Sequence, residues 1–94
     1  MYRVLIVDDE KLTRFQLRRY PHWEEYGFTI AGEATDGKEA LDLIGKEQFD
    51  LILTDIMMPK VDGIELLKAI KKMDRHVCVI FISGYSDFSY AKEG

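Results

Sequence analysis

Val4-Leu5-Ile6-Val7-Asp8-Asp9-Glu10 sets four consecutive apolar residues against three consecutive carboxylates. The run is short, β-branched at Val4, Ile6 and Val7, and bounded by charge, so it predicts a strand beginning at Arg3. It is apolar at successive positions and does not alternate strictly. That is the pattern of a parallel strand covered on both faces. Outward from it, Phe28 to Ala34, Leu51 to Thr54 and Val77 to Ile82 read as three more strands of the same kind.

Helical spacing fills the intervals. The first helix is expected over Lys11 to Tyr20, stopped by Pro21, with Leu12, Phe15 and Leu17 facing the sheet. The second follows Asp36-Gly37 and carries Ala40, Leu41 and Ile44 at three-and-four spacing. The third starts at Asp62, where Glu65 three residues later completes the form of a capping box, with Ile64, Leu67 and Ile70 on one side. A fourth is expected to begin near Ser86. Pro21 to Gly27, with His22, Trp23 and Tyr26, reads as a connection pinned by its aromatic residues. Strands alternating with helices make an α/β fold, a doubly wound parallel sheet with helices on both faces.

Composition narrows the function. The 94 residues are 47% hydrophobic and 32% charged, which suits one domain over residues 1–94. Thirteen basic residues against seventeen acidic ones give a net charge of -4, with the signs interspersed, so no basic tract points to direct contact with nucleic acid. The longest apolar runs fall far short of the ~20 residues that span a bilayer, and no leader or anchor is expected. Cys78 has no partner, which fits a reducing compartment, the cytoplasm, and a packing role inside its apolar run.

In an open parallel sheet, ligands bind at the carboxyl ends of the strands. Asp8, Asp9 and Glu10 follow the first strand, Asp55 follows the third, and Ser83 and Gly84 follow the fourth. A single Asp after a strand is ordinarily a turn former or a helix cap. Several together repel one another unless a cation neutralises them, and hard oxygen ligands suit Mg²⁺. A Mg²⁺ pocket of this kind binds phosphoryl groups, and a carboxylate beside the metal is itself a possible acceptor. Asp55, alone at its strand end, is the candidate acceptor; Asp8 and Asp9 are the pair suited to holding the ion, and the Ser83 hydroxyl is placed to reach a phosphoryl oxygen.

Val4 to Glu10, Asp50 to Pro59 with its Asp55-Ile56-Met57-Met58-Pro59 ending, Asp62-Gly63, and Phe81-Ile82-Ser83-Gly84-Tyr85 together resemble the receiver domain of two-component response regulators. The resemblance implies a flavodoxin-like fold of strand order 2-1-3-4-5 and phosphorylation by a sensor histidine kinase. It implies Asp55 as phosphoacceptor, Asp9 and Asp55 as direct Mg²⁺ ligands, Asp8 acting largely through water, the Met57 backbone carbonyl as a further ligand, and Ser83 as the switch hydroxyl. The pattern of Trp23, Tyr26-Gly27-Phe28, Gly32-Glu33-Ala34 and Ser83-Gly84-Tyr85-Ser86-Asp87-Phe88 looks most like regulators with an AraC-type helix-turn-helix output domain.

Receivers continue into a fifth strand, ending in a Lys that contacts the phosphoryl group, and a fifth helix. The expected sheet here is therefore 2-1-3-4 with those elements missing, and Lys92 is not placed to substitute. An uncovered fourth strand is expected to favour self-association. The signalling reading makes the chain a non-enzyme. Two rivals are a Mg²⁺-dependent phosphohydrolase with an aspartate nucleophile and a fragment that only self-associates. The hydrolase reading lacks its usual second acid two residues after the nucleophile, where Met57 stands.

Overall fold

Apolar strands that need cover on both faces lie side by side with helices above and below them. The computed structural model describes residues 1–56, 61–73 and 76–82. The elements are β1 (Tyr2–Val7), α1 (Lys11–Arg18), a single 3₁₀ turn (Glu24–Tyr26), β2 (Phe28–Ala34), α2 (Gly37–Lys46), β3 (Leu51–Asp55), α3 (Gly63–Lys72) and β4 (Cys78–Ile82). All strand pairs are parallel, in the order β2-β1-β3-β4. The expected order 2-1-3-4 is thus the observed one. The helix expected from Ser86 lies outside the described residues.

Strand periodicity splits the core in two. Leu5, Val7 and Ile52 point to one face, where Ala40 and Ile44 of α2 and Leu66 and Ile70 of α3 cover them. Val4, Ile6, Leu51 and Leu53 point to the other, against Leu17 of α1, Trp23, Phe28 and Ile30. The Trp23 indole N–H donates to the Leu17 carbonyl at 2.7 Å, so the aromatic connection is pinned to the end of α1. Gly27, at φ 83°, turns the chain through the left-handed region into β2. None of the helices among the described residues is long and apolar enough to cross a membrane.

The helix starts follow local chemistry. Asp36 Oδ1 accepts from the Glu39 N–H at 2.8 Å while Glu39 Oε1 accepts from the Thr35 N–H at 2.9 Å, and Asp62 Oδ1 accepts from the Glu65 N–H at 2.9 Å. Four expectations need correction. Helix α1 ends at Arg18, because Tyr20 precedes a proline and is biased out of the helical region. Leu12 and Phe15 do not face the sheet: they are 64% and 52% exposed, while Thr13, Arg14 and Leu17 turn inward. The inward row is polar apart from Leu17, so apolar spacing pointed to the wrong side. In α3 the inward row is Gly63, Leu66 and Ile70, and Ile64, one residue round the helix from Gly63, is exposed. Cys78 is exposed, not packed, because its strand is paired on one side only among the described residues.

Two glycines let backbones meet. A Cβ on Gly63 would lie 2.5 Å from the Asp55 carbonyl oxygen, and one on Gly37 would collide with the carbonyl of Val61, to which the Gly37 N–H donates at 3.1 Å. Gly45 of α2, in contrast, has nothing within 4 Å of that position. Gly63→Ala is therefore expected to cost about 1–3 kcal/mol through forced backbone movement. Gly45→Ala is expected to add up to about 1 kcal/mol from helix propensity. Urea denaturation of both variants checks the pair of opposite signs.

Candidate functional site

The site follows from register. β1 and β3 pair as Val4↔Leu51, Leu5↔Ile52, Ile6↔Leu53 and Val7↔Thr54, so the next step along both strands sets Asp8 beside Asp55. Both lie on the side of the sheet that carries α1, because each continues the alternation of Ile6 and Leu53. Asp8 is 2% exposed and Asp55 6% exposed, with Asp9 open to solvent. One carboxylate oxygen from each of Asp8, Asp9 and Asp55 lies within 4.8 Å of the others. Three of the expected site residues thus come together. Met57 and Ser83 lie outside the described residues.

Backbone bonds hold the rim. The Asp8 N–H donates to the Ala34 carbonyl at 3.0 Å, tying the end of β1 to β2. Asp8 Oδ1 accepts from the Glu10 N–H at 2.8 Å, which folds the acidic loop back on itself. Across the site, the Gly63 N–H donates to the Ile56 carbonyl at 2.9 Å, and Thr54 Oγ1 donates to the Asp55 carbonyl at 3.0 Å. The end of β3 is therefore clamped from the α3 side. Arg14 was not singled out by the sequence, yet its Nη1 donates to the Asp8 carbonyl at 2.6 Å. Its position in a helix carries no spacing signal that would have marked it.

Electrostatics follow the crowding. Burial is the largest cause that pushes the Asp8 carboxyl up, to about 6, with the charges of Asp55, Asp9 and Glu10 adding to it and the Glu10 N–H opposing it. A group held that far from its ordinary 3.8 by missing solvation and like charges is relieved by a cation. The donors are all oxygens, which suits a hard ion such as Mg²⁺ that keeps part of its water shell. Asp8, Asp9 and Asp55 fit that ion.

Because the folded-state pKa is raised, the folded protein without metal holds a proton that the unfolded chain has released between pH 4 and 6. Stability is then lost as pH rises through that window, by up to about 3 kcal/mol. Asp8→Asn is expected to remove the slope and to raise the melting temperature at pH 7 in chelator-treated protein. Mg²⁺ affinity of the unsubstituted protein should climb between pH 5 and 7 as Asp8 deprotonates. Thermal melts and metal titrations at stepped pH check both.

Comparison with known proteins agrees with this geometry. The family model described as the response regulator receiver domain matches residues 4–94. A response regulatory protein of Staphylococcus epidermidis is 47% identical over 94 residues, covering all of this chain and 37% of that protein. The crystal structure of a two component transcriptional regulator AraC from Clostridium phytofermentans superposes with a TM-score of 0.83 at 44% identity, over 99% of this chain and 72% of that one. The response regulator TrrA from Thermotoga maritima, solved in complex with Mg²⁺ and a beryllofluoride, gives a TM-score of 0.78 at 33% identity, over 96% of this chain and 76% of that one. The chain spans just over a third of the length of the curated relatives it matches, 37% for the first two. With fold, strand-end acids and family match in agreement, the chain belongs to the receiver domains of two-component response regulators.

Proposed function

We propose that Asp55 accepts a phosphoryl group from a sensor histidine kinase, and that the phosphorylated receiver governs a helix-turn-helix DNA-binding output domain. One observation carries the reading. Asp55 is buried at the end of β3 with the oxygens of Asp8 and Asp9 within 4.8 Å. Asp8 Oδ1 accepts from the N–H of Glu10 in its own loop, which suits Asp8 to a supporting role. In the transfer, an Asp55 carboxylate oxygen bonds to phosphorus as the bond from phosphorus to the kinase imidazole nitrogen breaks, and that nitrogen keeps the electron pair.

Asp9 and Asp55 would hold Mg²⁺ directly, Asp8 largely through water, and Met57 through its backbone carbonyl. When bound, Mg²⁺ shields the incoming phosphoryl charge from the carboxylates and steadies the transferring oxygens. Ser83 supplies a hydroxyl to the phosphoryl oxygens. The relatives are regulatory proteins, and TrrA with Mg²⁺ and a beryllofluoride supports the metal assignment. The relative described as a two component transcriptional regulator AraC supports the DNA-binding output of the parent protein. The cytoplasm is the compartment that this partnership requires.

Mg²⁺ titration followed by beryllofluoride or acetyl phosphate, read by Trp23 fluorescence and amide NMR, tests the assignment. The second step is expected to need both Mg²⁺ and Asp55, so Asp55→Asn should fold, by circular dichroism, and lose it. A response that persists in Asp55→Asn removes Asp55 from the role. Steady turnover of small phosphate esters would favour the phosphohydrolase alternative.

We also propose that the chain self-associates along β4. A groove of about 660 Å³ crosses the sheet on the side that carries α1, lined by Tyr2 of β1, Phe28 of β2, Leu51 of β3 and Cys78 and Ile80 of β4 together with Asp50, His76 and Val77, and Ile80 is 46% exposed. Among the described residues β4 ends the sheet, and a mainly apolar face next to such a strand favours pairing with another chain. Light scattering across concentrations should show mass above the monomer, and Ile80→Lys should restore the monomer. A monomer at every concentration contradicts this.

A further inference from the structure

We propose that Arg14, oriented by Glu33, is a positioning residue of the acidic site; the inference rests on the Mg²⁺ reading above. Arg14 lies on the inward side of α1 with its side chain largely buried. Its backbone N–H donates to the Glu10 carbonyl at 3.2 Å and its Nη1 to the Asp8 carbonyl at 2.6 Å. A single residue thus spans the whole Asp8-Asp9-Glu10 loop. The guanidinium bond to the Asp8 carbonyl is charge-assisted and about twice as strong as a neutral one. It also sets a permanent positive charge under a loop of three acids.

Arg14 is itself aimed by Glu33. Its Nε lies 3.3 Å from Glu33 Oε1, while Glu33 Oε2 takes the Nη1 of Arg18 at 2.6 Å. Glu33 pairs with Ile6 of β1, and the next residue, Ala34, accepts the Asp8 N–H at 3.0 Å. The two ends of the Asp8 backbone are therefore held from β2, one directly and one through Glu33 and Arg14. Arg14 meets the carboxylate with Nε and the carbonyl with Nη1, a fixed fork of separate donors that the single ammonium of Lys reproduces only in part. Asp9, the exposed member of the acidic trio, depends on this loop for its direction.

Arg18 gives the control. It shares Glu33, and among the described residues its side-chain hydrogen bond and ion pair both go to that carboxylate. Mg²⁺ titration by amide NMR of the unsubstituted chain, Arg14→Met, Arg14→Lys, Glu33→Gln and Arg18→Met separates positioning from mere stability. Removal of a supporting partner of a metal site costs about 10-fold or more in affinity. Arg14→Met is expected to lose that much, Arg14→Lys and Glu33→Gln less, and Arg18→Met nothing beyond its change in melting temperature. In metal-free protein, hydrogen exchange at the Glu10 amide should quicken in Arg14→Met and not in Arg18→Met.

Equal Mg²⁺ affinity in the unsubstituted chain and Arg14→Met overturns the inference while leaving the metal reading intact. Loss of affinity in Arg18→Met equal to that in Arg14→Met also overturns it. Absence of Mg²⁺ binding in the unsubstituted chain overturns the metal reading and the inference together. Should Arg14→Met fail to fold, Arg14→Lys and Glu33→Gln decide, and affinity unchanged in both overturns the inference.

Discussion

The parallel register between β1 and β3 is the constraint on which the rest depends. Shifting it by one residue would turn Asp8 and Asp55 to opposite faces of the sheet, and would move Leu5 or Ile52 out of the core each fills and into the one on the other face. Burial of those apolar side chains is what makes the register unique. The same burial that secures the sheet therefore carries two carboxylates to one desolvated edge. Folding stability is spent there on function, since the raised Asp8 pKa records a charge that the fold holds against its preference.

Around that edge the backbone is brought in closely. Gly63 lets the start of α3 close on the Asp55 carbonyl, and Gly37 lets the start of α2 close on Val61 in the connection after β3. Helix caps at Asp36 and Asp62 fix where those helices begin. The acidic site is in this way framed by three kinds of local device: strand ends, capped helix starts and glycine contacts. None of them is itself chemical machinery. Their effect is that Asp8 and Asp55 are buried while Asp9 beside them faces solvent.

Much of this was legible in order along the chain. The strands read from Arg3, Phe28, Leu51 and Val77 were legible as short apolar segments, and the caps were visible as Asp followed three residues later by Glu. The acids at 8, 9 and 55 were legible because the rule for parallel sheets converts a position after a strand into a position in space. The inward side of α1 was not legible, since a helix with Leu12, Phe15 and Leu17 offers more than one apolar direction, and contact with β1 chose Leu17 with Thr13 and Arg14. Cys78 was misread for a related reason. An apolar run tells that a strand belongs in a sheet, but not whether a helix lies over each of its residues.

The sequence by itself determined the α/β alternation, the helix starts and the identity of the acids at the sheet edge, because each is set by periodicity or by bonds between residues close in the chain. Only the tertiary structure decided which side of α1 is buried, that Cys78 is exposed, and that Arg14 and Glu33 meet beneath Asp8. Those outcomes depend on which neighbours the packed helices and strands bring together, and a residue's own neighbours in sequence carry no record of them.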